Sequence, residues 1–104
     1  MANYLFIYHG GGMPETKEEG ERMMAAWNTW YSEMGEAIVD GGNPVGQSHT
    51  VAASGMTADG GANPVSGYTV VSAADIDAAK LMASGCPMVA DGTGTVEVAE
   101  IMQM

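Results

Sequence analysis

Two histidines and a few loop carboxylates hold what acid-base chemistry this chain could perform. His9 closes an apolar run and stands directly before Gly10-Gly11-Gly12, a position from which an imidazole can reach a pocket mouth and titrate near neutral pH. The competing role for it is a ring that binds a loop carbonyl. His49 lies inside an extended run and points either into a cavity or to solvent. Asp59 and Asp40 stand beside glycines, so either could orient a histidine as its carboxylate partner or simply form a turn through side-chain to backbone bonds. His9, His49 and Asp59 are thus the candidate catalytic residues, with Asp40 as a substitute for Asp59.

Other sites are harder to build. Cys86 is the only cysteine, which rules out an intrachain disulfide and a cysteine zinc cage. Its place at the end of a helical pattern disfavours a thiolate, so a small buried cap residue is the expectation. The triple glycine invites a phosphate loop, yet Glu15, Glu18, Glu19 and Glu21 follow it and no Lys-Ser/Thr pair does. His9, His49 and a carboxylate lack the spacing of metal ligands. Neither metal nor cofactor is expected. A ligand pocket has more support, with an aromatic lining drawn from Tyr4, Tyr8, Tyr68 and Tyr31; Tyr8 and Tyr68 are the candidate ligand-binding residues.

Composition limits the partners. The 104 residues are 46% hydrophobic and 15% charged, a balance that fits one packed domain spanning residues 1–104. Thirteen acidic residues against three basic ones give a net charge of -10. Lys17, Arg22 and Lys80 are scattered, which argues against nucleic acid and an anionic membrane surface. The acidity serves solubility. The first residues carry no basic segment, and their apolar run is too short for a signal or a span, so the expected location is cytoplasmic.

The elements that must position these residues follow from pattern. Asn3 to His9 is a strand with faces Tyr4, Phe6, Tyr8 and Leu5, Ile7, His9, both largely apolar, as in a strand covered on both sides. Thr16 and Glu19 form a capping-box signature for a helix running to Met34, whose stripe Met23, Trp27, Trp30, Met34 packs on the sheet with Trp27 as core anchor. Gly35 closes it. Ala37 to Asp40 reads as a short strand, Gln47 to Ser54 as an extended run, and Gly55 to Gly67 as a loop. Gly67 to Ser72 is the next strand. Ser72 and Asp75 suggest another capping box, opening a helix with stripe Ile76, Ala79, Met82, Ala83 that Gly85 and Pro87 stop. Met88 to Ala90 reads as a short edge strand and Thr95 to Met102 as the last long one, with a bulge or change of partner near Ala99.

The order β-α-β-β-α-β gives an α+β, ferredoxin-like antiparallel sheet with two helices on one face. The other face then lacks a cover, and a second copy of the chain is the expected one, with strand and loop ends surrounding a cavity at the barrel mouth.

Asn3-Tyr4-Leu5-Phe6-Ile7-Tyr8, Trp27 and Trp30, Gly41-Gly42-Asn43-Pro44, Gly67-Tyr68-Thr69-Val70-Val71, Cys86-Pro87 and Val96-Glu97-Val98 together resemble the YCII-related family, with Asp59-Gly60 matching half of the DGPF signature of one branch. The resemblance implies a dimeric α+β barrel with a ferredoxin-like subunit. Family members have been proposed to pair a histidine of the first helix with an aspartate before a proline after the second. Here the first helix has no histidine and Cys86 precedes Pro87, so fold rather than chemistry is what the resemblance carries. Two functional readings remain: a homodimeric pocket protein for a small, mostly apolar metabolite, and a small lyase- or isomerase-type enzyme using His9 or His49 with Asp59 or Asp40.

Overall fold

The central strand of the molecule, β1 (Ala2–Gly10), is flanked on one side by β5 (Val65–Ala73) and on the other by β6 (Gly94–Glu100) in the computed structural model, which describes residues 1–104. With β2 (Ile38–Asp40) at the edge, the order is β2-β5-β1-β6, antiparallel throughout. This is the ferredoxin-like arrangement expected from the element order. A separate hairpin of β3 (Thr50–Ala52) and β4 (Gly55–Thr57) projects from the β2–β5 connection.

Period-two alternation decides which side of the sheet is core. Tyr4, Phe6 and Tyr8 of β1 and Thr69, Val71 and Ala73 of β5 are buried, whereas Leu5, Ile7, Tyr68 and Val70 are only half-buried. All helices pack on the first of these faces: α1 (Lys17–Met34), α2 (Ile76–Ala83) and α3 (Pro87–Asp91) contribute Trp30, Ala79, Ala83 and Met88 to the same apolar cluster. Trp30 lies parallel to Phe6 at 6.3 Å between ring centroids, and its indole N–H donates to the Met82 carbonyl at 3.0 Å, which ties α1 to α2 through the core.

Helix starts follow their capping residues. Thr16 accepts from the Glu19 N–H at 3.1 Å, and the Glu19 carboxylate reaches back to the Glu15 N–H at 2.9 Å, one residue earlier than a regular capping box. Gly35, at φ 52°, follows α1 and leads through a short 3-10 turn (Gly35–Ala37) into β2. At α2 the cap is Asp75 alone, accepting from Ala78 N–H at 2.8 Å; Ser72 stays inside β5, which runs on to Ala73.

Four expectations need correction. Residues 88–90 form helix, not strand: Pro87 takes the first position of α3, where its missing N–H costs nothing, and Cys86 precedes it as N-cap. Gly55 to Thr57 is strand within the expected loop, paired with Thr50–Ala52; its glycine-rich surroundings hid it. No bulge occurs near Ala99, because β6 keeps register with β1 from Gly94 to Glu100 and then ends. The register shift lies instead in the β1–β5 pairing, between Tyr8 and His9. Trp27 is half-buried while Trp30 is 4% exposed, so the core anchor is Trp30.

Candidate functional site: an aromatic cavity between the first helix and the sheet

The β1–α1 connection, the inner face of α1 and the end of β2 line a half-open cavity of about 450 Å³. Its wall includes Tyr8 from β1, Met23, Met24, Trp27 and Tyr31 from α1, and Met88 from α3. Gly10-Gly11-Gly12 with Met13, Gly41-Gly42-Asn43-Pro44, and Ser66-Gly67-Tyr68 complete it. The cavity lies on the helix-covered side of the sheet, with loop ends at its rim.

Two glycines keep the wall where it is. Gly42 has φ 69°, and a Cβ there would collide with the Tyr68 carbonyl oxygen, so β2 could not approach β5 with another residue at this place. Gly67 lies opposite Tyr8 in the sheet; a Cβ would stand 3.3 Å from Tyr8 Cδ2 and 3.2 Å from the Asn43 carbonyl oxygen, and its absence leaves the Tyr8 ring its room.

Asn43 and Ser66 stand in the wall, and behind its Tyr8 and Tyr31 a chain of hydroxyl groups runs to Thr69, which is not itself part of the wall. Tyr8 Oη and Tyr31 Oη each lie 2.7 Å from Thr69 Oγ1, and Tyr31 O–H donates to the Gly41 carbonyl at 2.8 Å. Thr69 is fully buried. Burial pushes the Tyr8 phenol far above the ordinary tyrosine range, against the opposing effect of its bond to Thr69, so it remains neutral at any physiological pH. Around this chain the aromatic rings meet edge to face: Tyr8 and Trp27 at 5.2 Å and 88°, Trp27 and Tyr31 at 6.2 Å and 63°. Aspartate, glutamate, histidine, lysine and arginine are all missing from the wall.

The residues singled out from the sequence divide between this cavity and elsewhere. Tyr8 and Tyr31 are in the wall. Tyr68 also borders it, but its pairing with Ile7 puts its side chain on the opposite sheet face, so backbone is what it offers the cavity. Tyr4 is buried in the core cluster, away from the wall. His9 points to the open face, one step beyond Tyr8 in the alternation of β1. There its Nε2 lies 2.9 Å from Glu97 Oε1, and its Nδ1 lies 3.0 Å from the Asn63 carbonyl and 3.3 Å from that of Pro64. Every partner is an acceptor, which suits the imidazolium, and the Glu97 bond leads the carbonyl bonds in raising the His9 pKa against desolvation.

His49 is exposed just before the projecting hairpin. Asp59 is exposed as well: its carboxylate accepts from Gly61 N–H at 3.0 Å and its carbonyl from Thr50 O–H at 2.7 Å. Asp40 forms the equivalent turn to Gly42 N–H at 2.9 Å. None of His9, His49, Asp59 and Asp40 reaches the cavity wall. Cys86 is wholly buried, and burial raises its thiol pKa. The residues that sequence reasoning missed are Thr69 and the methionines Met23, Met24 and Met88. The signal for Thr69 was a polar residue on the buried side of an otherwise apolar strand.

Comparison with known proteins bears on the fold. No protein-family model matches the sequence, and no curated protein matches it. A solved structure, 5-chloro-2-hydroxyhydroquinone dehydrochlorinase (TftG) from Burkholderia phenoliruptrix AC1100 in complex with 2,5-dihydroxybenzoquinone, is similar to the chain with a TM-score of 0.57 and 16% identity, over 96% of this chain and 95% of that one. At that identity the likeness is one of fold, and it covers the whole domain. The architecture is thus an α+β, ferredoxin-like one. No helix is long and apolar enough to cross a membrane.

Proposed function

We propose that this protein is a YCII-related homodimer whose subunits each bind a small, uncharged, largely apolar molecule in the cavity between α1 and the sheet. The observation that carries the reading is the composition of the wall: about 450 Å³ bounded mainly by tyrosine, tryptophan, methionine and glycine, with Asn43, Pro44 and Ser66 beside them and no ionised side chain. Ligand sites are concave, mostly apolar and fixed by a few placed polar groups, and the Tyr8–Thr69–Tyr31 chain supplies those groups here. A charged ligand would lose its hydration at this wall without an ionic partner in return.

The homodimer is supported by the half-buried face of Leu5, Ile7, Tyr68 and Val70, which no helix covers, and by the flatness of the chain, only 20 Å across its thinnest dimension. The lyase- or isomerase-type reading would need an acid-base pair in the cavity. The His–carboxylate pair that the fold does assemble, His9–Glu97, stands on the other side of the sheet, so the binding reading is preferred.

Methionine methyl NMR tests it without any variant. Toluene should shift the Met23, Met24 and Met88 methyl signals and leave those of the exposed terminal Met102 and Met104 in place, whereas benzoate, similar in shape but anionic, should shift none. Failure of toluene to move the three signals, or an equal response to benzoate, would overturn the proposal.

A further inference from the structure

The hydroxyl chain has one proton arrangement. Gly41 offers only a carbonyl, so the proton in its 2.8 Å contact with Tyr31 must come from Tyr31. The Thr69 proton then has to lie in the 2.7 Å contact with Tyr31; directed to Tyr8 instead, or to the Gly41 carbonyl at 3.3 Å, it would leave two oxygens at 2.7 Å with no proton between them. The 2.7 Å contact of Tyr8 with Thr69 therefore contains the Tyr8 proton. The chain runs Tyr8 to Thr69 to Tyr31 to Gly41, and every hydroxyl proton in it is directed away from Tyr8.

Tyr8 thus keeps an acceptor oxygen with its own proton committed inward. Thr69 is its short hydrogen-bond partner, and the neighbouring Tyr31 hydroxyl, whose proton goes to Gly41, gives it no donor, so a lone pair is left to be matched by a donor from outside the chain. Around it the wall offers the edges and faces of Trp27 and Tyr31 and the thioethers of Met23, Met24 and Met88, partners that favour an aromatic ring over an aliphatic chain. An anionic oxygen is unsuited twice over, since it has no proton to give and would meet an acceptor in a wall without a cation.

We propose that the ligand is a neutral phenol, seated with its ring among Trp27, Tyr31 and the methionines and its hydroxyl donating to the Tyr8 oxygen. The assignment rests on the binding reading above and narrows it to a ligand that must donate a hydrogen bond. Selectivity then arises because a buried acceptor left unpaired by the wrong ligand carries a desolvation penalty.

Calorimetric titration of the wild-type protein with 4-methylphenol and with 4-methylanisole, its methyl ether, separates the two levels of inference. The phenol should bind at least about tenfold more tightly than the ether, a difference of about 1.4 kcal/mol. In Tyr8→Phe the phenol should lose its advantage, and the ratio of the two affinities should fall to about one. Equal affinity of the two compounds for the wild type, or a preference for the phenol that survives in Tyr8→Phe, would overturn the phenol assignment while leaving the apolar cavity standing. Binding of neither compound would remove the cavity reading along with it. The wild-type comparison decides the matter even if the variant does not fold.

Discussion

The two faces of β1 carry almost the same hydrophobicity and have opposite fates. Tyr4, Phe6 and Tyr8 are 2%, 0% and 5% exposed under the helices, whereas Leu5, Ile7 and His9 are half-buried on a face that no element covers. The helix face is held by shape: Trp30 fills the space over Phe6 and bonds to Met82. It opens into a cavity only where α1 lifts away near Trp27. The open face is polar at its end, where His9 meets Glu97, and apolar at its centre. A strand can therefore read as covered on both sides although its own chain covers only one.

The largest effect that sharpens this contrast is expected inside the helix face itself. Trp30→Ala should cost about 3 to 5 kcal/mol, the range for removing a large buried aromatic; it also removes one of the two donors to the Met82 carbonyl, the Gly85 N–H being the other. Trp27→Ala, at the half-buried cavity wall, should cost about half as much, in proportion to the smaller apolar area it withdraws from water. Denaturant titration of both variants checks the order. Equal losses would mean that the cavity edge is as tightly packed as the core.

That order was only partly legible in the sequence. Helical spacing placed Trp27 and Trp30 on one side of α1, but periodicity says which face is inward and not how closely each turn approaches the sheet. The β-α-β-β-α-β order and the two faces of β1 could be read directly, since alternation and capping are local. The site was less accessible. Histidines and loop aspartates attract notice because of their chemistry, whereas the cavity is built from residues such as Gly41, Gly42 and four methionines, whose meaning depends on which elements become neighbours. Glu97 likewise joins His9 only through the β1–β6 pairing, across 88 residues. Pro87 read as a stop from its dislike of helix interiors, while its tolerance of a first turn is equally local and simply competed with that reading.

The open face is tested next, by its effect on assembly rather than folding. Ile7 sits at the centre of that face, with Tyr68 on one neighbouring strand and Glu97 on the other. If a second copy covers it, the wild type should sediment at twice the chain mass at micromolar concentration and Ile7→Lys at the monomer mass or as aggregate. Buried against a partner face, the lysine would lose its hydration in two copies at once, and the one carboxylate beside it, Glu97, is already bonded to His9. A wild-type monomer at high concentration would break the comparison, because the half-buried face would then be an ordinary surface.

The smallest effect belongs to the polar end of the open face. The His9 side chain is 11% exposed but the Glu97 side chain is 63% exposed, so solvent screens the pair and its contribution should stay below about 1 kcal/mol. Its sign is nevertheless definite. His9 has a folded-state pKa raised above its ordinary value, first by the Glu97 bond and then by the Pro64 and Asn63 carbonyls. The stabilisation is therefore fully present below the unfolded-state pKa of about 6.5 and is lost as pH rises through the higher folded-state value. Glu97→Gln removes the main cause, so the His9 titration followed by NMR should move down in pH, and the variant should be less stable than the wild type in mild acid. The two stabilities should converge as the medium becomes alkaline and the imidazole loses its charge in both. A His9 titration unmoved by Glu97→Gln would mean that the carbonyls of Asn63 and Pro64 alone hold the ring, and that the open face ends in a loop clamp and not an ion pair.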